Sequence, residues 1–166
     1  MGAAFGFFFC FQISLFLAQI LFVASSYLTT CIHVYFIIDN ADVYGLDWGG
    51  THFGACEEAL GRIFSAIPGL RDRIVLATKG GIIPGVPYNS SAQYITSACE
   101  ASLSRMGVDH VDLYQIHRPD HFTHPEEIAQ AFQSLRSRGL VREFGVSNYT
   151  VTQTLALNAF VDNGLA

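Results

Sequence analysis

"RIVLATK", Arg73 to Lys79, decides the fold. It is a short apolar, β-rich run closed by a lysine, and it reads as a strand covered on both faces. What flanks it sets its partners. On its N-terminal side "HFGACEEALGRIFSAI" (52–67) spaces Phe53, Cys56, Leu60, Ile63 and Ile67 three and four residues apart, the apolar stripe of a helix ending near Pro68. On its C-terminal side "SSAQYITSACEASLSRMG" (90–107) turns Ile95, Cys99, Ser102 or Leu103, and Met106 inward, and Gly107 stops it.

The same alternation continues outward. "VYFIID" (34–39), "VDLYQIH" (111–117) and "REFGVSN" (142–148) read as three more strands. Thr123 and Glu126 form a capping-box pattern with Pro125 in the first turn. They open a helix through Ile128, Phe132 and Leu135 that closes at Gly139. Thr150 with Gln153 repeats the capping signal for a last helix. A strict β-α-β-α order with apolar strands implies a parallel sheet covered by helices, either doubly wound or part of a β/α barrel.

Composition narrows the function. The 166 residues suit one domain, and a net charge of −5 with scattered Lys and Arg leaves no basic patch, so no nucleic-acid partner is expected. Cys10, Cys31, Cys56 and Cys99 lie far apart without a C-x-x-C pair, and they read as buried thiols. His117, His121 and His124 cluster in "HRPDHFTH", but Pro119 interrupts the spacing and no cysteine joins them. They read as loop histidines, and no metal is expected.

From Met1 to Ile38 there is no Asp, Glu, Lys or Arg, and "FGFFFCFQISLFLAQILFVA" has the length of a bilayer span. Residues 1–33 read as an apolar N-terminal helix, set apart from a globular part expected over 34–166. A transmembrane anchor making membrane contact through residues 3–25, a signal peptide, and a segment foreign to the working protein compete for it. If the chain were lumenal, Asn89 and Asn148 would be glycosylation sequons, and a sugar on Asn148 would obstruct the strand-end site described next. The part from residue 34 onward is therefore expected on the cytoplasmic side.

Each strand ends in a polar residue: Asp39, Lys79, His117, and Ser147 with Asn148. In parallel β/α folds these ends open on one face, where ligands bind. A carboxylate at the mouth of an apolar strand costs several kcal/mol to desolvate unless a cation meets it, and Lys79 on the neighbouring strand is that cation. Tyr44, on the loop after Asp39, reaches the same spot. A tyrosine with a pKa of about 10 donates a proton poorly at neutral pH unless its phenolate is stabilised, which an adjacent ammonium does. With His117 to polarise a carbonyl oxygen, the set would protonate a developing alkoxide, and it requires a bound hydride donor. Each residue alone has a plainer reading: a buried ion pair, a packed loop aromatic, a hydrogen-bonded strand end.

"FIIDNADVYG", "IVLATKGG", "VDLYQIHRPD" and "VREFGVSN", in this order and separation, resemble the strand-end motifs of the aldo/keto reductases. The resemblance runs from about residue 34 to about 157. It implies a TIM-type (β/α)8 barrel that binds NADPH without a Rossmann fold and reduces a small-molecule aldehyde or ketone. It implies Tyr44 as proton donor, Lys79 and Asp39 as the pair that tunes it, and His117 as the substrate-orienting group. Ser147 and Asn148 match positions that hold the nicotinamide carboxamide. Asp42 reads as a loop carboxylate at the mouth. Trp48, in "GLDWGGTHFG", reads either as a wall of the substrate pocket or as a loop tryptophan packed on the surface. "KGGIIPGVP" has its lysine before its glycines, so it is no P-loop.

About four βα units are present where such a barrel has eight, so the expected architecture is a partial barrel with open strand edges. By resemblance, the missing units carry the grip on the adenosine phosphate. Two rivals follow: a catalytically inactive truncated fragment, membrane-tethered or not, and a doubly wound binding module in which Tyr44 lies away from Lys79. The sequence specifies no oligomeric state.

Overall fold

The structure is a computed structural model that describes residues 36–46, 52–86 and 88–166. The apolar N-terminal block, Cys10, Cys31 and Trp48 lie outside the described residues. Among those described, no helix is long and apolar enough to cross a membrane.

Four strands alternate with four helices: β1 Phe36–Asp39, α1 Ala55–Ala66, β2 Ile74–Gly80, α2 Ala92–Met106, β3 Val111–Ile116, α3 Pro125–Ser137, β4 Val141–Val146 and α4 Val151–Asn158. All pairings are parallel and the spatial order is β1-β2-β3-β4. A doubly wound sheet would reverse its order at some strand, and this one does not. It is an arc of a β/α barrel with strands laid down in sequence order. Registers pair Asp39 with Ala77, Lys79 with Gln115 and Gln115 with Gly145, so the strand ends rise together toward one rim.

The core lies between sheet and helices. Leu76, Tyr114, Ile116 and Phe144 meet Ile95, Cys99, Met106, Ile128, Phe132 and Leu135. Phe132 of α3 stacks on Phe144 of β4 with ring centroids 4.2 Å apart and planes 15° apart. Burying each such side chain contributes about 1.5–3 kcal/mol. Neighbouring helices pack in series, α1 on α2, α2 on α3 and α3 on α4. Gly61 permits the first of these contacts, because a Cβ there would sit 2.5 Å from the Arg105 carbonyl oxygen. On the opposite, lumen side of the arc Ile37 is 70% exposed.

Several local expectations need correction. The α1 helix starts at Ala55, because Gly54 at φ 87° occupies its N-cap, so Phe53 precedes the helix. The buried residues of α1 are Glu57 and Leu60, a carboxylate within what reads as an apolar stripe. The N-cap of α3 is His124, whose Nδ1 accepts from the Glu126 amide at 3.3 Å. Thr123 lies one residue before the cap, and its hydroxyl donates to Asp120 at 2.7 Å. Glu127 instead caps a neighbour, accepting from the Ala92 amide at the start of α2 at 2.9 Å. The capping box of α4 is present: Gln153 N–H donates to Thr150 Oγ1 at 3.3 Å, and Thr150 N–H donates to Gln153 Oε1 at 2.9 Å. Gly107 ends α2 in the left-handed conformation. Cys99 is buried, and burial pushes its thiol up to about 12. Cys56 is half-buried where burial was expected. Among the described residues no three His, Cys, Asp or Glu side chains converge as a metal site.

Candidate active site

The chain does not leave the sheet when β1 ends. Asn40 N–H donates to Ala77 O at 2.9 Å and Asp42 N–H to Lys79 O at 3.0 Å, which extends the ladder past Asp39. A turn then closes with Tyr44 N–H on Ala41 O at 3.1 Å, and Gly54 N–H holds Asp42 O at 2.8 Å. The turn folds Tyr44 back over the end of β2.

Lys79 Nζ is the hub. It donates to both oxygens of Asp39 at 2.7 Å, to Asn40 O at 3.1 Å and to the Tyr44 hydroxyl at 3.3 Å. Its side chain is 5% exposed and that of Asp39 52%, so the cation end is dry and the anion end faces the mouth. An ammonium only donates, so the Tyr44 oxygen is the acceptor in this contact and the phenol proton can be given elsewhere. The Tyr44 and His117 rings meet edge-on, centroids 5.6 Å apart at 81°. His117 is nearly buried, with its amide donating to Gly80 O at 2.8 Å. Asp39, Tyr44, Lys79 and His117, from three consecutive strand ends, thus share one site.

Ser147 and Asn148 follow β4 on the same rim. Ser147 N–H donates to Ile116 O at 2.8 Å, and Asn148, at φ 60°, donates through Nδ2 to His117 O and to Ser147 Oγ, both at 3.0 Å. Asparagine is among the few non-glycine residues that tolerate the left-handed region. The rim loops are tied by Asp120, which accepts from Ser90 N–H, Phe122 N–H and Thr123 Oγ1 at 2.9, 2.9 and 2.7 Å. Burial pushes its carboxyl up, but these hydrogen bonds and nearby His121 outweigh it and hold it below the usual carboxylate range.

Asp42 is not where its sequence reading puts it. Its carboxylate is fully buried on the helix side of the sheet rather than at the mouth, because the ladder bond to Lys79 O and the Gly54 contact turn it inward. Neither of its oxygens, nor the hydroxyl of fully buried Tyr114, has a hydrogen-bond partner among the described residues. Beside them Glu57 accepts from Thr78 Oγ1 at 2.6 Å and from Arg105 Nε at 2.7 Å, and Arg105 also donates to Ser102 Oγ at 3.2 Å. Burial, then the Glu57 charge, pushes the Asp42 carboxyl up to about 7, against the pull of Arg105 and the Val43 amide, which lies near without hydrogen-bond geometry. Tyr94 is pushed up to about 12 by burial and then by Asp42. Sequence reasoning missed this polar layer. Its one legible signal is that Glu57 stands three residues before inward Leu60, and Thr78 two residues after inward Leu76.

Residues 31–162 match the sequence profile of the aldo/keto reductase family. The chain belongs to the aldo/keto reductase family. It is 50% identical over 129 residues to a 6-dehydroglucose reductase of Novosphingobium aromaticivorans, covering 78% of this chain and 42% of that protein. It is 37% identical over 114 residues to an aldo-keto reductase of Schizosaccharomyces pombe named with NADP(+), covering 66% and 31% respectively. In structure it superposes on a glycerol dehydrogenase from Gluconobacter oxydans with a TM-score of 0.64 at 32% identity, covering 75% of this chain and 37% of that one. The chain thus spans less than half the length of the relatives it matches.

Proposed function

We propose that this aldo/keto reductase chain carries the proton-donating half of an NADPH-dependent carbonyl reductase, with Tyr44 as the proton donor. The observation that carries the reading is the Lys79 ammonium bonded to both Asp39 oxygens and, at 3.3 Å, to the Tyr44 hydroxyl. When bound, the reduced nicotinamide supplies the hydride to the carbonyl carbon. As negative charge grows on the carbonyl oxygen, Tyr44 gives up its proton to it and an alcohol results. Lys79 stabilises the phenolate left behind, and Asp39 keeps Lys79 charged and in place. His117, edge-on to Tyr44, orients the carbonyl oxygen between the two rings.

The residues present fit the nicotinamide end of the cofactor. Asn148 spends Nδ2 on His117 O and Ser147 Oγ, which leaves its Oδ1 as the atom to accept from a carboxamide, beside the Ser147 hydroxyl. The relative at 50% identity is named a 6-dehydroglucose reductase, and on that likeness the substrate is a carbonyl group on a sugar. The test is NADPH oxidation by the purified chain with an oxidised hexose and, separately, methylglyoxal. Turnover preferring the hexose and falling by a factor of about 10²–10⁴ in Tyr44→Phe is the expected result. Equal rates in wild type and Y44F would remove Tyr44 from the reaction. Absence of any saturable NADPH binding would reduce the chain to an idle fragment of its family.

A further inference from the structure

We propose that Asp42 is a positioning residue: its carboxyl group, packed over Gly80 beside the Tyr114 hydroxyl, anchors the turn that holds the Tyr44 hydroxyl against Lys79. What the turn serves rests on the reductase reading; the anchoring does not. A Cβ on Gly80 would run into Tyr114 Oη and lie 3.3 Å from Asp42 Oδ2, so both oxygens crowd the bare face of that one residue. Asp42 is bonded through its backbone to Lys79 O on one side and Gly54 N on the other, and Tyr44 follows two residues later. Any outward movement of the Asp42 carboxyl therefore carries the Tyr44 hydroxyl away from Lys79.

The anchor works only in the neutral form. Around the carboxyl stand Glu57 from α1, Tyr94 and Arg105 from α2, and Tyr114 from β3. The sole cation in that set, Arg105, is engaged by Glu57 and Ser102. Lys79 on β2 spends its ammonium on Asp39, Asn40 and Tyr44. An ionised Asp42 would be a second buried carboxylate beside Glu57 with no counter-ion of its own, and water is reached only by displacing the turn. Burial and the Glu57 charge place this ionisation near neutral pH. Retaining polar groups in so dry a place costs stability, which is expected where a group serves the site rather than the fold.

The test is amide hydrogen exchange of segment 40–46, corrected for intrinsic rate, at about pH 6 and about pH 8, with turnover followed in parallel. In wild type, protection of the segment is expected to fall about tenfold between the two pH values. Asp42→Asn, which mimics the neutral acid, keeps protection at both, and Asp42→Ala loses it at both. In turnover, kcat declines over the same interval in wild type and not in D42N, with KM within about twofold. The proposal is overturned if wild type and D42N share one pH dependence, or if D42A leaves exchange in 40–46 unchanged. Should D42A not fold, the comparison of wild type with D42N decides alone. If no variant turns over, the reductase reading fails and the exchange data still decide the role of Asp42.

Discussion

Gly80→Ala tests the crowded layer behind the site without reference to catalysis. An alanine in a strand interior is ordinarily worth about 0.5–1 kcal/mol over glycine, because glycine loses more freedom on folding. Here the added methyl meets the Tyr114 hydroxyl well inside van der Waals contact, the Tyr114 ring carbon Cζ at 3.2 Å and Asp42 Oδ2 at 3.3 Å. Overpacking of that kind costs about 1–3 kcal/mol, so the net expectation for G80A is a loss of about 1–2 kcal/mol. Tyr114→Phe removes the worst contact and also a buried hydroxyl that has no hydrogen-bond partner among the described residues, so alone it should be neutral or stabilising by up to about 1 kcal/mol. The double variant should recover about 1 kcal/mol of the G80A loss, a coupling that a double-mutant cycle reads directly. Urea denaturation monitored by circular dichroism supplies the four free energies, provided the slope m is unchanged. If G80A costs the same in the wild-type and Y114F backgrounds, Gly80 is not held by the Tyr114 hydroxyl and the packing reasoning is wrong.

Phe132→Ala deletes one ring of the stacked pair under β4 and should cost about 3–5 kcal/mol, measured as a shift in the same urea midpoint. Thr150→Ala removes the hydroxyl that caps α4 and should cost about 1 kcal/mol; an unchanged midpoint would show that the capping box contributes nothing there. Stability should also depend on pH through Asp42. Its carboxyl is raised from 3.8 to about 7, so the folded chain holds this proton more tightly than the unfolded chain does. The contribution is complete below pH 3.8, declines as pH rises and is gone above about 7, a span equivalent to about 4 kcal/mol. Asp42→Asn should flatten that part of the profile, and parallel curves for wild type and D42N would contradict the assignment.

The strands and the convergence of their polar ends are legible because two strong local signals coincide: apolar runs of strand length, and a polar residue at the end of each. Asp39 and Lys79 could be paired from sequence because adjacent parallel strands leave few other partners for a carboxylate there. Asp42 could not be placed. A carboxylate in a turn is usually solvated, and the two backbone bonds that rotate this one into the interior, to Lys79 O and from Gly54 N–H, appear only in the folded chain. The same holds for Glu57, which breaks an apolar stripe until Thr78 and Arg105 are brought beside it by tertiary packing. The α3 cap was misread by one residue for a different reason: Thr123 is the residue type expected at a cap, but the helix starts one residue later and a histidine nitrogen, His124 Nδ1, takes the Glu126 amide.

The sequential strand order has a consequence for biosynthesis. Each strand pairs with the one made just before it, so a nascent chain emerging at about 5–20 residues per second can add βα units one at a time without waiting for a distant partner. Asp39 and Lys79 are 40 residues apart, and closing a loop of that size costs only about 3 kcal/mol in chain entropy. The strands that bring Asp39 to Lys79 pair without any residue of β3 or β4, so the later units are added onto a register already set.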